Sequence, residues 1–132
     1  MQEPTYDSTR PRPAIEIVSQ YKLNVAGITG KTVCALRVVF PPNGSTPPHR
    51  HGGCAVSAFV ISGALLNKMN DDPMKVIQSG GTWYEAPGCH HRISDNASKT
   101  EEAVLLATMI VDTEALERDG MGALIQIDEE YR

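Results

Sequence analysis

The sequence predicts an all-β domain, a sandwich or a barrel. Two observations carry this. Short runs rich in apolar and β-branched residues are separated by Gly, Pro and Asn/Asp turns at intervals of roughly 8 to 12 residues, and the long helical patterns that parallel βαβ units need are missing. At 132 residues the chain suits one compact core, because two separate cores would each be too small to stabilise well.

The elements follow in order. Residues 1–13 carry Pro4, Pro11 and Pro13 with few apolar side chains and read as an extended arm, leaving 14–132 as the domain. Residues 14–23 (AIEIVSQYKL) partly alternate apolar and polar, as an edge strand does. Gly27 and Gly30 mark a hairpin-like turn, and 32–40 (TVCALRVVF) reads as a well-buried strand. The proline- and glycine-rich run from Pro41 to Pro48 forbids helix and predicts a surface loop. Residues 55–62 (AVSAFVIS) form a strand ending at Gly63, which 65–69 resumes. A turn at 70–73 and another at Gly80-Gly81 bracket short strands at 74–78 and 82–85. Residues 95–100 (DNASKT) read as a polar turn and 103–111 as a strongly apolar strand. Residues 113–119 suit one or two helical turns stopped by Gly120, and 123–127 a last short strand.

Composition removes several function classes. A net charge of −4 with 12 Lys and Arg excludes a strongly basic nucleic-acid binder. No apolar run approaches the roughly 20 residues needed to cross a bilayer, and the first residues lack the basic and apolar regions of a signal peptide. Cys34, Cys54 and Cys89 are odd in number and widely spaced, so no disulfide framework is implied; buried structural thiols are the simpler reading. The expectation is a cytoplasmic protein with a small-molecule partner, no nucleic acid and no membrane.

The four histidines carry the chemistry. They fall in two tight groups, His49/His51 and His90/His91, where unrelated histidines would scatter. In a strand the i, i+2 spacing puts His49 and His51 on one face, where two imidazoles can share a metal ion. A third ligand from another strand would complete a facial set with open positions. His90 and His91 alternate across their strand, so only one of them can point into the same interior. The competing reading, solvated loop residues beside proline turns, leaves the pairing unexplained.

At these residues the chain resembles the cupin superfamily. The first cupin motif runs Gly, five residues, His-x-His, three or four residues, Glu, six residues, Gly. His49-Arg50-His51 supplies the pair and Gly63 the closing glycine, with Val56 at the glutamate position and Asn43 beside Gly44 at the opening. The second motif runs Gly, five residues, Pro-x-Gly, two residues, His, three residues, Asn. Here Gly80, Ala86-Pro87-Gly88 and His91 keep that spacing, with Asp95 at the asparagine position. The register selects His91 over His90. WYEAPGCHHRISDNAS also resembles short single-domain cupins of microbial secondary metabolism.

The resemblance implies a single cupin barrel (a double-stranded β-helix, or jelly roll) in which His49, His51 and His91 converge on one divalent transition metal. Fe(II) comes first, with Zn, Ni or Mn also compatible. Without the glutamate, three histidines leave the ion's charge uncompensated and more positions open. Glu85 can approach as a fourth ligand or serve as a supporting or surface group. His90 is a candidate general base at the cavity mouth, or an outward polar residue. Arg37 interrupts an apolar run and faces either the cavity, as an anion-binding group, or solvent. Val56, Phe59, Met69, Trp83 and Met109 are candidate pocket residues.

Three functions compete on this sequence. The leading one is an Fe(II) oxygenase-type oxidoreductase acting on an enol, phenol or diketone-like molecule, with His90 or Arg37 helping to deprotonate or orient it. The second is a non-redox decarboxylase, isomerase or cyclase using the metal as a Lewis acid. The third is a metal-free ligand-binding module. An uncovered edge strand near the N-terminus makes a homodimer the expected assembly.

Overall fold

The structure is a computed structural model describing residues 1–132. Its strands are β1 (Ala14–Lys22), β2 (Lys31–Phe40), β3 (Ser45–Thr46), β4 (His49–Arg50), β5 (Ala55–Ser62), β6 (Ala64–Met69), β7 (Lys75–Gln78), β8 (Thr82–Glu85), β9 (His90–Asn96), β10 (Ala103–Asp112) and β11 (Gln126–Ile127). Between β10 and β11 lie the short helices α1 (Thr113–Asp119) and α2 (Met121–Leu124). No helix is long and apolar enough to cross a membrane.

The strands form two antiparallel sheets packed face to face. One runs β1-β2-β10-β5-β8; the other runs β11-β4-β9-β6-β7, with β3 also paired to β9. This is the all-β sandwich that the turn spacing predicts, in the jelly-roll form that the cupin resemblance implies. Period-two alternation builds the core between the layers. Leu36, Val38 and Phe40 of β2, Val56, Ala58 and Val60 of β5, and Leu105, Ala107 and Met109 of β10 are all buried. β1 lies at the edge of its sheet, and nearly all of it is exposed.

Three local expectations need correction. Residues 65–69 do not resume the strand before Gly63. At a φ of +76°, Gly63 turns the chain out of the first sheet and into the second. A Cβ there would lie 2.8 Å from the Ala103 Cβ and 3.0 Å from the Glu102 carbonyl oxygen. The polar run DNASKT is only partly a turn, because β9 continues through Asn96 and both Asp95 and Asn96 are buried. At the other end of the chain, Ala123 and Leu124 belong to α2, so the last strand holds only Gln126 and Ile127.

Asp95 tolerates burial because it is fully engaged. Arg10 of the arm reaches it at 2.9 Å, and the Ser45 hydroxyl donates to its other oxygen at 2.8 Å. Arg10 also donates to the carbonyls of Asn43 and Gly44, while the Ser45 amide donates to the Pro11 carbonyl. The arm is thereby clasped to the second sheet. Asn96 ties the neighbouring loop, donating to the carbonyls of Pro41 and Glu101 and accepting the Ser98 amide.

Two substitutions test this framework by urea denaturation. Arg10→Ala leaves a buried carboxylate without its cation and lowers stability by about 2–3 kcal/mol; adding Asp95→Asn recovers part of the loss. Gly63→Ala combines left-handed backbone strain with overpacking and lowers stability by about 2–4 kcal/mol.

Candidate metal centre

Strand register assembles the histidines. His49 on β4 is directly opposite His91 on β9, and Arg50 is opposite His90. Partners in an antiparallel ladder share a face, so His49 and His91 point inward while their neighbours point out. His51 follows two residues after His49 and returns to the inner face. The three imidazoles are buried and offer ring nitrogens within 4.8 Å of one another. The His49 ring centroid lies 4.8 Å from that of His51 and 4.9 Å from that of His91.

Each ring has its outer nitrogen committed to an oxygen. His49 Nδ1 donates to the Pro47 carbonyl at 2.8 Å, and His51 Nδ1 to the Leu124 carbonyl at 2.7 Å. His91 Nε2 donates to Asn67 Oδ1 at 2.6 Å. Carbonyl and amide oxygens only accept, so the three protons sit on the outside. The inner atoms, His49 Nε2, His51 Nε2 and His91 Nδ1, are lone pairs when the rings are neutral.

Glu85 meets them from the other sheet. It is 3% exposed; its Oε1 lies 3.1 Å from His51 Nε2 and 3.3 Å from His91 Nδ1. Its Oε2 accepts the Trp83 indole N–H at 3.0 Å. Glu85 Oε1 and His91 Nδ1 are buried with no hydrogen-bond partner. A buried cluster of acceptors with partnerless atoms suits a cation, and three imidazoles suit a divalent transition ion. The residues fit such a metal.

The protonation equilibria show the same frustration. Burial, with the neighbouring imidazoles adding to it, holds His49 well below its ordinary value. Burial likewise lowers His91 to about 4, against the opposing pull of Glu85. Burial also acts against the charged form of His51, but the Glu85 carboxylate and the Leu124 carbonyl outweigh it and raise this ring. Burial would raise Glu85, yet the His51 and His91 rings and the Trp83 N–H hold it down at about 2.

The cluster lines part of a cavity of about 50 Å³. Leu36, Val38, Phe40, Leu105, Ala107 and Met109 wall it, Thr46 and Ser94 add two hydroxyl-bearing side chains, and Pro13 and Ile15 bring the arm and β1 to its rim. No lysine or arginine lines it.

Of the predicted site residues, the structure brings His49, His51, His91, Glu85, Val56 and Met109 to this cavity. Burial excludes the surface reading of Glu85. Arg37 falls between inward Leu36 and Val38 and is exposed on the outer face, so it is not a cavity group. Phe59 shares the outward parity of Ser57 on β5 and is 46% exposed. His90 is half-buried on the opposite face of β9, with Nε2 at 2.8 Å from Asp128. Met69 and Trp83 line a separate surface cleft; a register shift after Lys68 displaces Met69, and Trp83 acts through its hydrogen bond to Glu85. Asn67, Pro47 and Leu124, which orient the rings, were not singled out in the sequence. Only Asn67 had a local signal, as an amide amid the apolar residues of β6.

Comparison with known proteins agrees with this architecture. The family model described as the cupin domain matches residues 36–109. A search of curated proteins finds no match. Among solved structures, the chain is similar to a protein with a double-stranded β-helix domain from Klebsiella pneumoniae subsp. pneumoniae, at 16% identity and a TM-score of 0.59, covering 82% of this chain and 90% of that one. It is similar to an oxalate oxidase in complex with the substrate analogue glycolate, at 26% identity and a TM-score of 0.53, covering 82% of this chain and 60% of that one. A third is the DMSP lyase DddQ from Ruegeria pomeroyi DSS-3, at 17% identity and a TM-score of 0.60, covering 78% of this chain and 49% of that one. The chain thus spans less than two thirds of either enzyme, and some proteins of this fold are enzymes. With the domain model matching over more than half its length and the jelly roll in place, this chain belongs to the cupin superfamily.

Proposed function

We propose that the chain is a metal-dependent enzyme acting on a small organic molecule, an Fe(II) oxygenase-type oxidoreductase whose substrate is an enol, a phenol or a diketone. The observation that carries this reading is the set of three imidazoles with outward protons and inward lone pairs at the closed end of an apolar cavity. His49, His51 and His91 would hold the ion, iron first, with zinc, nickel or manganese also fitting the donors. When bound, the metal supplies Lewis acidity and open coordination positions, and iron adds a redox couple for dioxygen. The likeness to the oxalate oxidase supports the redox branch.

The protein's own residues select and position the substrate. Leu36, Val38, Leu105 and Met109 receive a hydrocarbon body and keep bulk water from the histidines. Thr46 and Ser94, opposite each other on β3 and β9, offer hydroxyls to a substrate oxygen. With no lysine or arginine in the wall, a free carboxylate entering this cavity would lose its hydration with no cationic side chain in return. The substrate we propose is therefore neutral before it binds, with one oxygen-bearing end and an apolar remainder. Arg37 and His90 touch nothing held in the cavity and take no part in this scheme. We further propose a homodimer using the free edge of β1, where Ile17, Val18 and Tyr21 are exposed.

Elemental mass spectrometry on untagged protein tests the metal. Near-stoichiometric iron that disappears in His49→Ala/His51→Ala is the expected result, with turnover that consumes oxygen. Turnover undiminished under strict anaerobiosis overturns the oxygenase assignment in favour of Lewis-acid chemistry. No metal uptake after reconstitution with Fe(II) or Zn(II) overturns the enzyme reading and leaves a ligand-binding barrel. Asn67→Ala, which orphans the His91 Nε2 proton, lowers the stability of the metal-free protein by about 1–3 kcal/mol and weakens metal binding about 10- to 100-fold; calorimetric titration with Zn(II) reads the second effect.

A further inference from the structure

We propose that Glu85 is the fourth, acidic ligand of the metal, delivered from β8 across the strand ladder from the apolar Val56. This deepens the metal-site reading above and rests on it. Val56 and Glu85 are direct partners in the β5–β8 pair, so their side chains leave the sheet on the same face, with Cβ atoms about 5 Å apart. Val56, at the position where the chain's first histidine motif would carry an acid, is buried against the cavity and offers no donor atom. The carboxylate one strand over reaches the same space.

Three features mark Glu85 as a ligand rather than a structural acid. Its Oε1 points at His51 Nε2 and His91 Nδ1, and neither ring nitrogen gives it a proton while the rings are neutral. Its Oε2 is fixed by the Trp83 indole, an arrangement that leaves one oxygen free and aimed, as ligating carboxylates are held. No arginine or lysine stands within 4.0 Å of it, and its ion-pair contacts are the two histidines alone.

Charge gives the reason. The cost of burying an ion rises with the square of its charge, so a divalent ion held by three neutral imidazoles among Leu36, Val38 and Leu105 faces about four times the penalty of a site whose net charge is +1. One carboxylate makes that reduction. Glu85 belongs to one sheet and the three histidines to the other or its margins, so the ion would also tie the two layers of the sandwich together. The competing role for Glu85 is to share a proton with His51 in a metal-free protein.

The test uses cobalt(II) and zinc(II) as probes on metal-stripped full-length protein. Kd is read by competition titration and ligand identity by the visible spectrum of the cobalt form. Glu85→Gln should weaken Zn(II) at least about tenfold and shift the cobalt bands. The exchange Val56→Glu/Glu85→Val, which returns the carboxylate from the other strand, should bind within about tenfold of wild type. Unchanged affinity and spectrum in Glu85→Gln, beside a wild type that binds metal, overturns the ligand role and leaves the metal site standing. A wild type that binds neither probe overturns both readings. Should Glu85→Gln fail to fold by circular dichroism, the exchange decides: metal binding supports the proposal, and a folded exchange protein that binds none overturns it.

Discussion

The structure turns on a group of hydrogen-bond acceptors buried together between the two sheets. Three imidazoles have their protons drawn outward by Pro47, Leu124 and Asn67, and the Glu85 carboxylate closes on the inner nitrogens of His51 and His91. Lone pairs and a carboxylate about 3 Å apart repel one another in a medium of low dielectric. A proton on His51 relieves part of that repulsion, and a metal cation would relieve the rest. If the site takes an ion, part of its binding free energy would become folding free energy.

The cluster's hydrogen bonds reach far along the chain. Leu124, which fixes the His51 tautomer, sits at the end of α2, 73 residues away. Asn67, which fixes His91, lies on β6, the strand that follows the sheet-changing turn at Gly63. The cavity depends in turn on the arm, because Pro13 and Ile15 line it just beyond the Arg10–Asp95 clasp. The histidines therefore have their outer partners only once α2 and β6 are in place.

The histidine cluster was legible in the sequence because its logic is local. An i, i+2 pair defines a face, and two neighbouring histidines guarantee that one of them points inward. For Arg37, whose sequence position left cavity and solvent both open, and for Phe59, direction follows from neighbours: Leu36 and Val38, like Ala58 and Val60, are buried, which turns both outward. Asp95 and Asn96 were misread for a physical reason. A polar run resembles a turn unless its partners are known, and the Arg10 that satisfies Asp95 is 85 residues upstream. The bulk of Trp83 suggests packing or pocket lining, and it does pack against the core and line a cleft; its indole N–H donated to the carboxylate two residues on is what the sequence does not show. Substrate identity was not legible, because an apolar wall assembled from β2 and β10 shows only in three dimensions.

The distribution of charge across the two sheets bears on the chemistry. The wall that Val56 shares with Leu105 and Met109 is apolar right up to the imidazoles, while the only anionic group at the cluster approaches along β8. A ligand entering the cavity thus meets hydrocarbon on one flank of the site and hydroxyls, Thr46 and Ser94, on another. An oxygen-rich dianion would find few groups to replace its water, whereas a mostly apolar molecule with one ionisable oxygen end replaces hydration only where the ion and the hydroxyls can compensate it. Burial of the cluster would strengthen each polar contact made there.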